Sequence, residues 1–202
     1  FIASHFDAIL EVWQPGMMGG QALCKVLFGD YNPAGRLPVT AARSVGQIPV
    51  YYALPRGSGY VAAGHTGMIR NKNGYINDSA FPLYYFGHGL SYTTFAYSDL
   101  ESAKKELSPE EELEVTVKVT NTGEYDGEEV VQLYVSDDVA SMVRPTMELA
   151  GFTRVFIPKG ESRTVRFKMK ATQFAFLNVG MEWTVEKGTM PVKVGASSAD
   201  IR

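Results

Sequence analysis

The sequence has few of the residues that support disulfide or metal chemistry. Cys24 is the single cysteine among 202 residues, so an intrachain disulfide framework is excluded and the redox compartment stays open. The three histidines, His5, His65 and His88, lie far apart and lack the His-x-x-x-His spacing of a metal site. We therefore predict no metal site.

Long apolar runs and an excess of positive charge are also missing. No apolar stretch approaches the roughly 20 residues that a membrane-spanning helix needs. The formal net charge of -3 provides no basic field for nucleic acid or for an anionic membrane. Gly16, Gly19 and Gly20 are not followed by the Lys and Ser or Thr of a phosphate-binding loop. We expect no nucleic-acid partner and no membrane partner.

The first feature that the sequence predicts is one βα unit. Residues 8–13 form a short apolar run typical of a strand, and residues 21–28 carry an apolar stripe typical of a helix that ends at Gly29. Cys24 lies on this stripe, which favours a buried packing thiol over a nucleophile. A lone βα unit buries too little apolar surface to offset the ordering of its backbone. We therefore expect its sheet neighbours in polypeptide that precedes Phe1.

The pattern changes near Leu90. From about residue 41 to 90 no period is sustained, and Gly, Pro, Tyr and Asn indicate a long ordered connection. After Leu90, apolar and polar residues alternate with period two, which is typical of half-buried strands. The alternation predicts roughly seven strands and, in addition, a short one near residues 174–177. The others lie near residues 95–100, 113–119, 131–135, 149–156, 165–169, 183–185 and 192–194.

These strands have the number and spacing of a β-sandwich. Without a cysteine pair, the sandwich is of the fibronectin type III kind and not of the antibody kind. The predicted fold class is mixed: a terminal βα segment of an α/β sandwich, followed by an all-β fibronectin type III-like sandwich. We predict that residues 1–45 end the α/β domain, that residues 46–92 form the connection, and that residues 93–202 form the β-sandwich.

Three segments carry specific motifs. The first joins Trp13-Gln14-Pro15-Gly16 and Gly19-Gly20 to Leu27-Phe28-Gly29-Asp30 and Asn32-Pro33-Ala34-Gly35-Arg36-Leu37-Pro38. The second is Phe86-Gly87-His88-Gly89-Leu90-Ser91-Tyr92-Thr93-Thr94-Phe95. The third joins Leu149-Ala150-Gly151-Phe152 and Pro158-Lys159-Gly160-Glu161 to Val194-Gly195-Ala196-Ser197-Ser198. In this order, the three segments resemble family 3 glycoside hydrolases of the β-glucosidase and β-xylosidase type.

The resemblance implies a three-part retaining glycosidase with a barrel domain, an α/β sandwich domain and a C-terminal fibronectin-like domain. This chain resembles the end of the second part joined to all of the third. Such enzymes use two carboxyl groups about 5 to 5.5 Å apart as nucleophile and general acid/base. The resemblance places the nucleophilic Asp in the barrel and the acid/base Glu upstream of Pro15-Gly16. No catalytic residue is therefore assigned to this chain.

The resemblance also implies the partners. They are the N-terminal barrel and sandwich polypeptide of the same enzyme, and an oligosaccharide or aryl β-glycoside as substrate. A second copy of the chain in a homodimer is a further option. No cofactor is implied, because glycoside hydrolysis does not require one.

The carboxylates and one histidine of this chain each allow two interpretations. Glu11 is either a buried functional acid or, as we prefer, a polar group paired with a neighbour. Asp30 is expected to bond backbone groups of the turn at Asn32-Pro33, and residues 110–112 are expected to form a solvated face. His88 stands where the family has Tyr, and we prefer a packed, hydrogen-bonded histidine to a catalytic one.

The segment from residue 64 to 78 matches no motif that we can place. Its mixed aromatic and polar residues are typical of sugar-facing loops. We hypothesise that His65, Arg70 or Tyr75 rims the active site of its own or of a symmetry-related subunit; the alternative is a loop packed on the domain surface. The competing function for the chain is a noncatalytic sugar-binding or protein-interaction module. An exposed row of coplanar aromatics would favour that function, and the orientation of Trp183 is left open.

Overall fold

The computed structural model describes residues 1–55 and 81–201. Two α-helices come first, α1 at Ile2–His5 and α2 at Gly19–Leu27, and neither is long and apolar enough to cross a bilayer. The described residues then contain eight strands: β1 at Phe95–Ser102, β2 at Glu112–Asn121, β3 at Gly127–Val135, β4 at Glu148–Ile157, β5 at Ser162–Lys170, β6 at Phe176–Leu177, β7 at Trp183–Thr184 and β8 at Val192–Gly195. Short 3-10 helices lie at Val45–Gln47 and Ala171–Phe174.

The predicted helix is confirmed as α2, which begins slightly earlier than expected. Gly29 follows α2 with a φ of +83°, and its N–H donates to the carbonyl of Val26 at 3.1 Å, as a glycine C-cap does. The prediction that Cys24 is buried is wrong, because its thiol is exposed. No element in the described part of the chain covers that side of α2.

The predicted strand at residues 8–13 is also wrong in the described structure. A strand exists through hydrogen bonds to a neighbouring strand, and no ladder to these residues is present within residues 1–55 and 81–201. Instead, Glu11 Oε1 accepts a hydrogen bond from the backbone N–H of Trp13 at 2.9 Å. Ile9 and Leu10 are exposed, so the apolar character of this run is not used for packing here.

The predicted β-sandwich is confirmed. One antiparallel sheet has the order β1-β2-β5, and the second has the order β4-β3-β8. The strands β6 and β7 pair only with each other, as a small hairpin in which Trp183 is exposed. The chain crosses between the two sheets from β2 to β3 and again from β4 to β5, which is the crossed connectivity of sandwich folds.

The period-two alternation decides which side chains form the core. In the first sheet, Val115 of β2 lies opposite Phe167 of β5, and Val117 lies opposite Val165. All four side chains are buried, as the alternation of apolar and polar residues in these strands predicts. The second sheet adds the buried residues Val131, Leu133, Val135, Ile157 and Val194.

The N-terminal part is attached to the sandwich through a short hydrogen-bonded junction. The N–H of Gly87 donates to the carbonyl of Leu37 at 2.8 Å, and the N–H of Leu37 donates to the carbonyl of His88 at 2.9 Å. The N–H of Ser198, beyond β8, donates to the carbonyl of Phe86 at 3.0 Å. The stretch around Gly87 therefore binds both the N-terminal part and the end of the chain.

Gln132 of β3 explains why a glycine is required at this junction. Its buried amide Nε2 donates to the carbonyls of Gly87 at 3.2 Å and of Ala196 at 2.6 Å. Its Oε1 accepts from the hydroxyl of Tyr134 at 2.6 Å. Gly87 has a φ of +79°, and a Cβ at this position would lie 2.1 Å from Gln132 Oε1. Any side chain at position 87 would therefore displace the amide from its partners.

We expect Gly87→Ala to lower the free energy of unfolding by about 2 to 4 kcal/mol. About 1 to 2 kcal/mol of this comes from a left-handed backbone at a residue with a Cβ, and the rest comes from overpacking against Gln132. Gly46→Ala is the matched control, because nothing lies within 4 Å of a Cβ there. Urea unfolding measures both variants, and equal midpoints for the two would contradict this account.

Candidate functional site

An open apolar groove lies beside the junction. Its volume is about 930 Å³, and it is lined by Pro38, Val39, Thr40, Ile48, Pro49, Val50, Tyr51, Tyr52, Ala53 and Phe86. The ring of Tyr52 stacks on that of Phe86 with centroids 4.1 Å apart and contacts Tyr134 edge-on at 6.2 Å. The hydroxyl of Tyr52 accepts from the backbone N–H of Leu149 at 3.3 Å. Among the described residues that line the groove, none is a carboxylate or a histidine, and most of them offer apolar surface to a ligand.

Gln47 holds the wall of this groove in place. Its buried Oε1 accepts from the N–H of Arg43 at 2.6 Å, and its Nε2 donates to the carbonyl of Phe81 at 2.8 Å. Arg43 Nε donates to the same carbonyl at 2.9 Å. These bonds fix the two ends of the described chain that flank residues 56–80.

The residues predicted to rim an active site are His65, Arg70 and Tyr75, which lie outside the described residues. The flanks of that segment are anchored: the N–H of Thr146 donates to the carbonyl of Leu54 at 2.8 Å, and Tyr84 pairs with Ala41.

A buried charged cluster joins the N-terminal part to the sandwich. Arg36 Nη2 lies 2.5 Å from Glu129 Oε2, and the two side chains are only 8% and 2% exposed. The hydroxyl of Tyr97 on β1 donates to Glu129 Oε1 at 2.7 Å. Both carboxylate oxygens are therefore engaged, which suits a structural contact better than a reaction.

Burial raises the pKa of both acids of this cluster. Burial raises the pKa of Glu129, whereas the charge of Arg36 and the hydrogen bond from Tyr97 oppose that rise. The pKa of Tyr97 is also raised, first by burial and then by the negative charge of Glu129. The phenol consequently stays protonated and acts as the donor. Glu129 is compensated by a cation on one oxygen and by a hydroxyl on the other.

Glu129 was not among the residues predicted from the sequence to have a role, although a signal was present. Glu129 occupies a core-facing position of β3, in phase with Val131 and Leu133. An ionisable residue at such a position needs a buried partner. That partner, Arg36, lies 93 positions earlier in the chain, so periodicity could not identify it.

His88 is packed, as expected. Its ring stacks on Tyr84 with centroids 5.3 Å apart. Burial lowers the pKa of His88, the nearby charge of Arg36 lowers it further, and Asp200 opposes both effects. The ring is therefore kept neutral beside the buried cluster.

The other carboxylates that the sequence raised are surface groups in this structure. The interpretation of Glu11 as a buried acid is wrong, because Glu11 is exposed and bonds locally to Trp13. Residues 110–112 are exposed, as predicted. Glu111 lies 2.6 Å from Lys104, and the hydrogen bonds from Lys104 and Ser108 lower its pKa to about 2. In the described part of the chain, no group of three His, Cys, Asp or Glu side chains is placed to hold a metal ion.

Two family models match the chain. The model described as glycosyl hydrolase family 3 C-terminal domain matches residues 2–92, and the model described as fibronectin type III-like domain matches residues 129–198. The two matches divide the chain at the same junction that the buried cluster bridges.

Curated relatives match nearly the whole chain. A protein described as a putative beta-xylosidase of Formosa agariphila is 38% identical over 100% of this chain, and a periplasmic beta-glucosidase of Salmonella typhimurium is 42% identical over 97% of it. In both cases the match covers 25% of the relative. The chain thus spans about a quarter of the length of these curated relatives.

A solved structure has the same fold. The beta-glucosidase from Listeria innocua in complex with glucose has a TM-score of 0.90 and is 36% identical, and the match covers 100% of this chain and 28% of that structure. The fold of that structure, the two family models and the matches of curated relatives to nearly the whole of this chain agree with one another. The chain therefore carries a glycosyl hydrolase family 3 C-terminal domain followed by a fibronectin type III-like domain.

Proposed function

We propose that the chain is the C-terminal portion of a retaining β-glycosidase of the β-glucosidase type, which hydrolyses terminal β-linked sugars. The observation that carries this proposal is the match of nearly the whole chain to a β-glucosidase at 42% identity. Because the chain spans a quarter of that relative, the activity is proposed for the complete polypeptide and not for these 202 residues alone.

The proposed chemistry needs two carboxyl groups about 5 to 5.5 Å apart. One attacks the sugar to form a covalent glycosyl intermediate, and the other first protonates the leaving group and then activates water. We propose that both groups lie in the remaining polypeptide of the enzyme. Glu129 is engaged on both oxygens, so it has no free oxygen for either role.

The proposed task of this chain is mechanical support. Residues 1–45 complete an α/β domain, residues 46–92 run over its surface, and residues 93–202 form the fibronectin-like domain. The cluster of Arg36, Glu129 and Tyr97 then fixes the fibronectin-like domain relative to the rest.

We also propose that His65, Arg70 or Tyr75 contributes to the rim of the active site. Their side chains offer a ring face for stacking and donors for sugar hydroxyls, which are the groups that orient a sugar in a pocket. The polar composition of residues 64–78 supports this proposal.

The first experiment compares the isolated chain with the full-length polypeptide. We expect the full-length polypeptide to release 4-nitrophenol from 4-nitrophenyl β-glucoside and the isolated chain to release none, because the proposed reacting carboxyl groups lie in the remaining polypeptide.

Calorimetry of the isolated chain with a β-linked oligosaccharide tests the competing function. Retained affinity would favour a noncatalytic sugar-binding module, and hydrolysis by the isolated chain would contradict the proposal.

The second experiment tests the supporting role with Glu129→Gln in the full-length enzyme. This change leaves the charge of Arg36 buried and unpaired, which costs about 3 to 5 kcal/mol. We expect a lower Tm and an unchanged KM. Glu114→Gln is the control, because its pair with Arg166 at 2.8 Å is exposed and is worth about 0 to 1 kcal/mol. A changed KM at an unchanged Tm would instead indicate a direct role in substrate binding.

The third experiment tests the rim. We expect combined alanine substitution of His65, Arg70 and Tyr75 to raise KM or to lower kcat in the full-length enzyme, because contacts to the sugar are lost. Lys72→Ala in the same segment is the control. If both kinetic constants are unchanged in the triple variant, the loop only packs on the domain surface.

A further inference from the structure

The two outer faces of the sandwich differ in character. On the sheet β1-β2-β5, the outward side chains form cross-strand ion pairs, with Lys168 3.2 Å from Glu112 and Arg166 2.8 Å from Glu114. Exposed pairs of this kind are typical of a solvated surface. This face of the domain is therefore complete without a partner.

The outer face of the sheet β4-β3-β8 is only half covered. Along β3, the chain itself covers Gln132 and Tyr134, and both are buried. Along the neighbouring edge strand β4, the outward residues are Phe152, Arg154 and Phe156. We name these three residues the β4 stripe. Phe152 is 68% exposed and Phe156 is 54% exposed, so two large apolar side chains stand uncovered on a face whose other half is buried.

Tyr31 connects the β4 stripe to the N-terminal part. Its hydroxyl donates to Glu128 Oε2 at 3.1 Å and accepts from Arg154 Nη2 at 3.2 Å. Arg154 Nε in turn lies 3.4 Å from Glu128. The charge of Arg154 is thereby neutralised within the chain. The turn that carries Tyr31 follows Phe28 at the end of α2, and Phe28 is 82% exposed.

We propose that the β4 stripe, together with Tyr31, is a docking surface for the remaining polypeptide of the same enzyme. This inference rests on the proposed function, because it identifies the polypeptide that makes up about three quarters of the curated relatives as the occupant. The fibronectin-like domain then holds that polypeptide directly through β4, in addition to the covalent path through residues 1–92.

Two observations identify this occupant. The stripe is continuous with the junction that already joins the two parts of the chain, since Tyr31 bonds to both Arg154 and Glu128. Two further exposed apolar side chains, Leu27 and Phe28, come shortly before Tyr31 in the sequence, on the part that matches the family 3 C-terminal domain. One partner that covers the α2 end of the chain would therefore also reach the β4 stripe.

The chemistry of the stripe favours a protein over a sugar. Phenylalanine rings offer no hydrogen-bonding group, and Arg154 already contacts Tyr31 through Nη2 and Glu128 through Nε. Sugar sites combine ring faces with free polar groups, whereas contiguous exposed apolar residues mark protein contacts. A second copy of this chain is the other protein that could fit, and the experiment separates the two.

The test is hydroxyl-radical footprinting of the full-length polypeptide, read by mass spectrometry and normalised to the urea-unfolded protein. We expect Phe152 and Phe156 to be oxidised several-fold more slowly than their exposure in this chain implies, at a rate close to that of the buried Phe167. Leu100, which is 42% exposed on β1, is the exposed reference. Oxidation of both phenylalanines at a normalised rate equal to that of Leu100 overturns the proposal.

Dilution distinguishes the occupants. Protection that persists when light scattering reports a monomer supports docking within one polypeptide. Protection that disappears as a dimer dissociates assigns the stripe to a second copy and overturns the proposal.

A variant with Phe152→Ser and Phe156→Ser adds an independent measurement. We expect this variant to lower the Tm of the full-length protein, whereas Leu100→Ser leaves the Tm nearly unchanged. Equal Tm values for the two variants overturn the proposal.

Activity of the same preparation separates this inference from the proposed function. Hydrolysis of 4-nitrophenyl β-glucoside without protection of the stripe rejects the docking surface and leaves the function standing. Protection without hydrolysis of any β-glycoside rejects the function and leaves the docking surface standing.

Discussion

The pairing of Arg36 with Glu129 is the contact on which the arrangement of this chain depends. Moving either charge out of water alone is costly, so each tolerates burial only beside the other. A side chain from the turn before the groove must therefore meet a side chain from the middle of β3. Tyr97 completes the cluster from β1, which brings both sheets of the sandwich into the same contact. Apolar packing could accept several arrangements of the two parts, whereas this cluster accepts one.

The surroundings of the cluster reinforce that arrangement with neutral contacts. Gly87 approaches Gln132 so closely that no side chain fits between them. His88 stacks on Tyr84 and is held neutral by burial and by Arg36, so this ring adds no second positive charge near the ion pair. The junction is therefore built from backbone groups, an amide and rings around a single compensated pair. Such a site resists deformation, and it leaves no free acid or base for chemistry.

How much the sequence could predict depended on whether the signal was local. The alternation in β2, β3 and β5 predicted these strands and their inward faces, because each strand's period reports burial directly. The strand predicted at residues 8–13 is not present in the described structure, because a strand forms only beside a neighbouring strand and not through its own residues alone. The prediction that Cys24 is buried was wrong for the same reason, since the apolar face of α2 is buried only where another element packs against it. The Arg36–Glu129 pair was missed because its two members are remote in sequence, and the rim residues lie outside the described part of the chain.

The environments of three carboxylates support the proposal that the reacting groups lie outside this chain. A retaining glycosidase needs one ionised and one protonated carboxyl group on opposite sides of a bound sugar, so both must face open space. Glu112 and Glu114 do face solvent, but they stand on the outer face of a sheet and are paired with basic residues. Glu129 has the raised pKa that an acid catalyst requires, but it lies at a closed junction with both oxygens occupied. The features that make Glu129 a good structural group, namely burial and full hydrogen bonding, are the ones that prevent it from reaching a substrate.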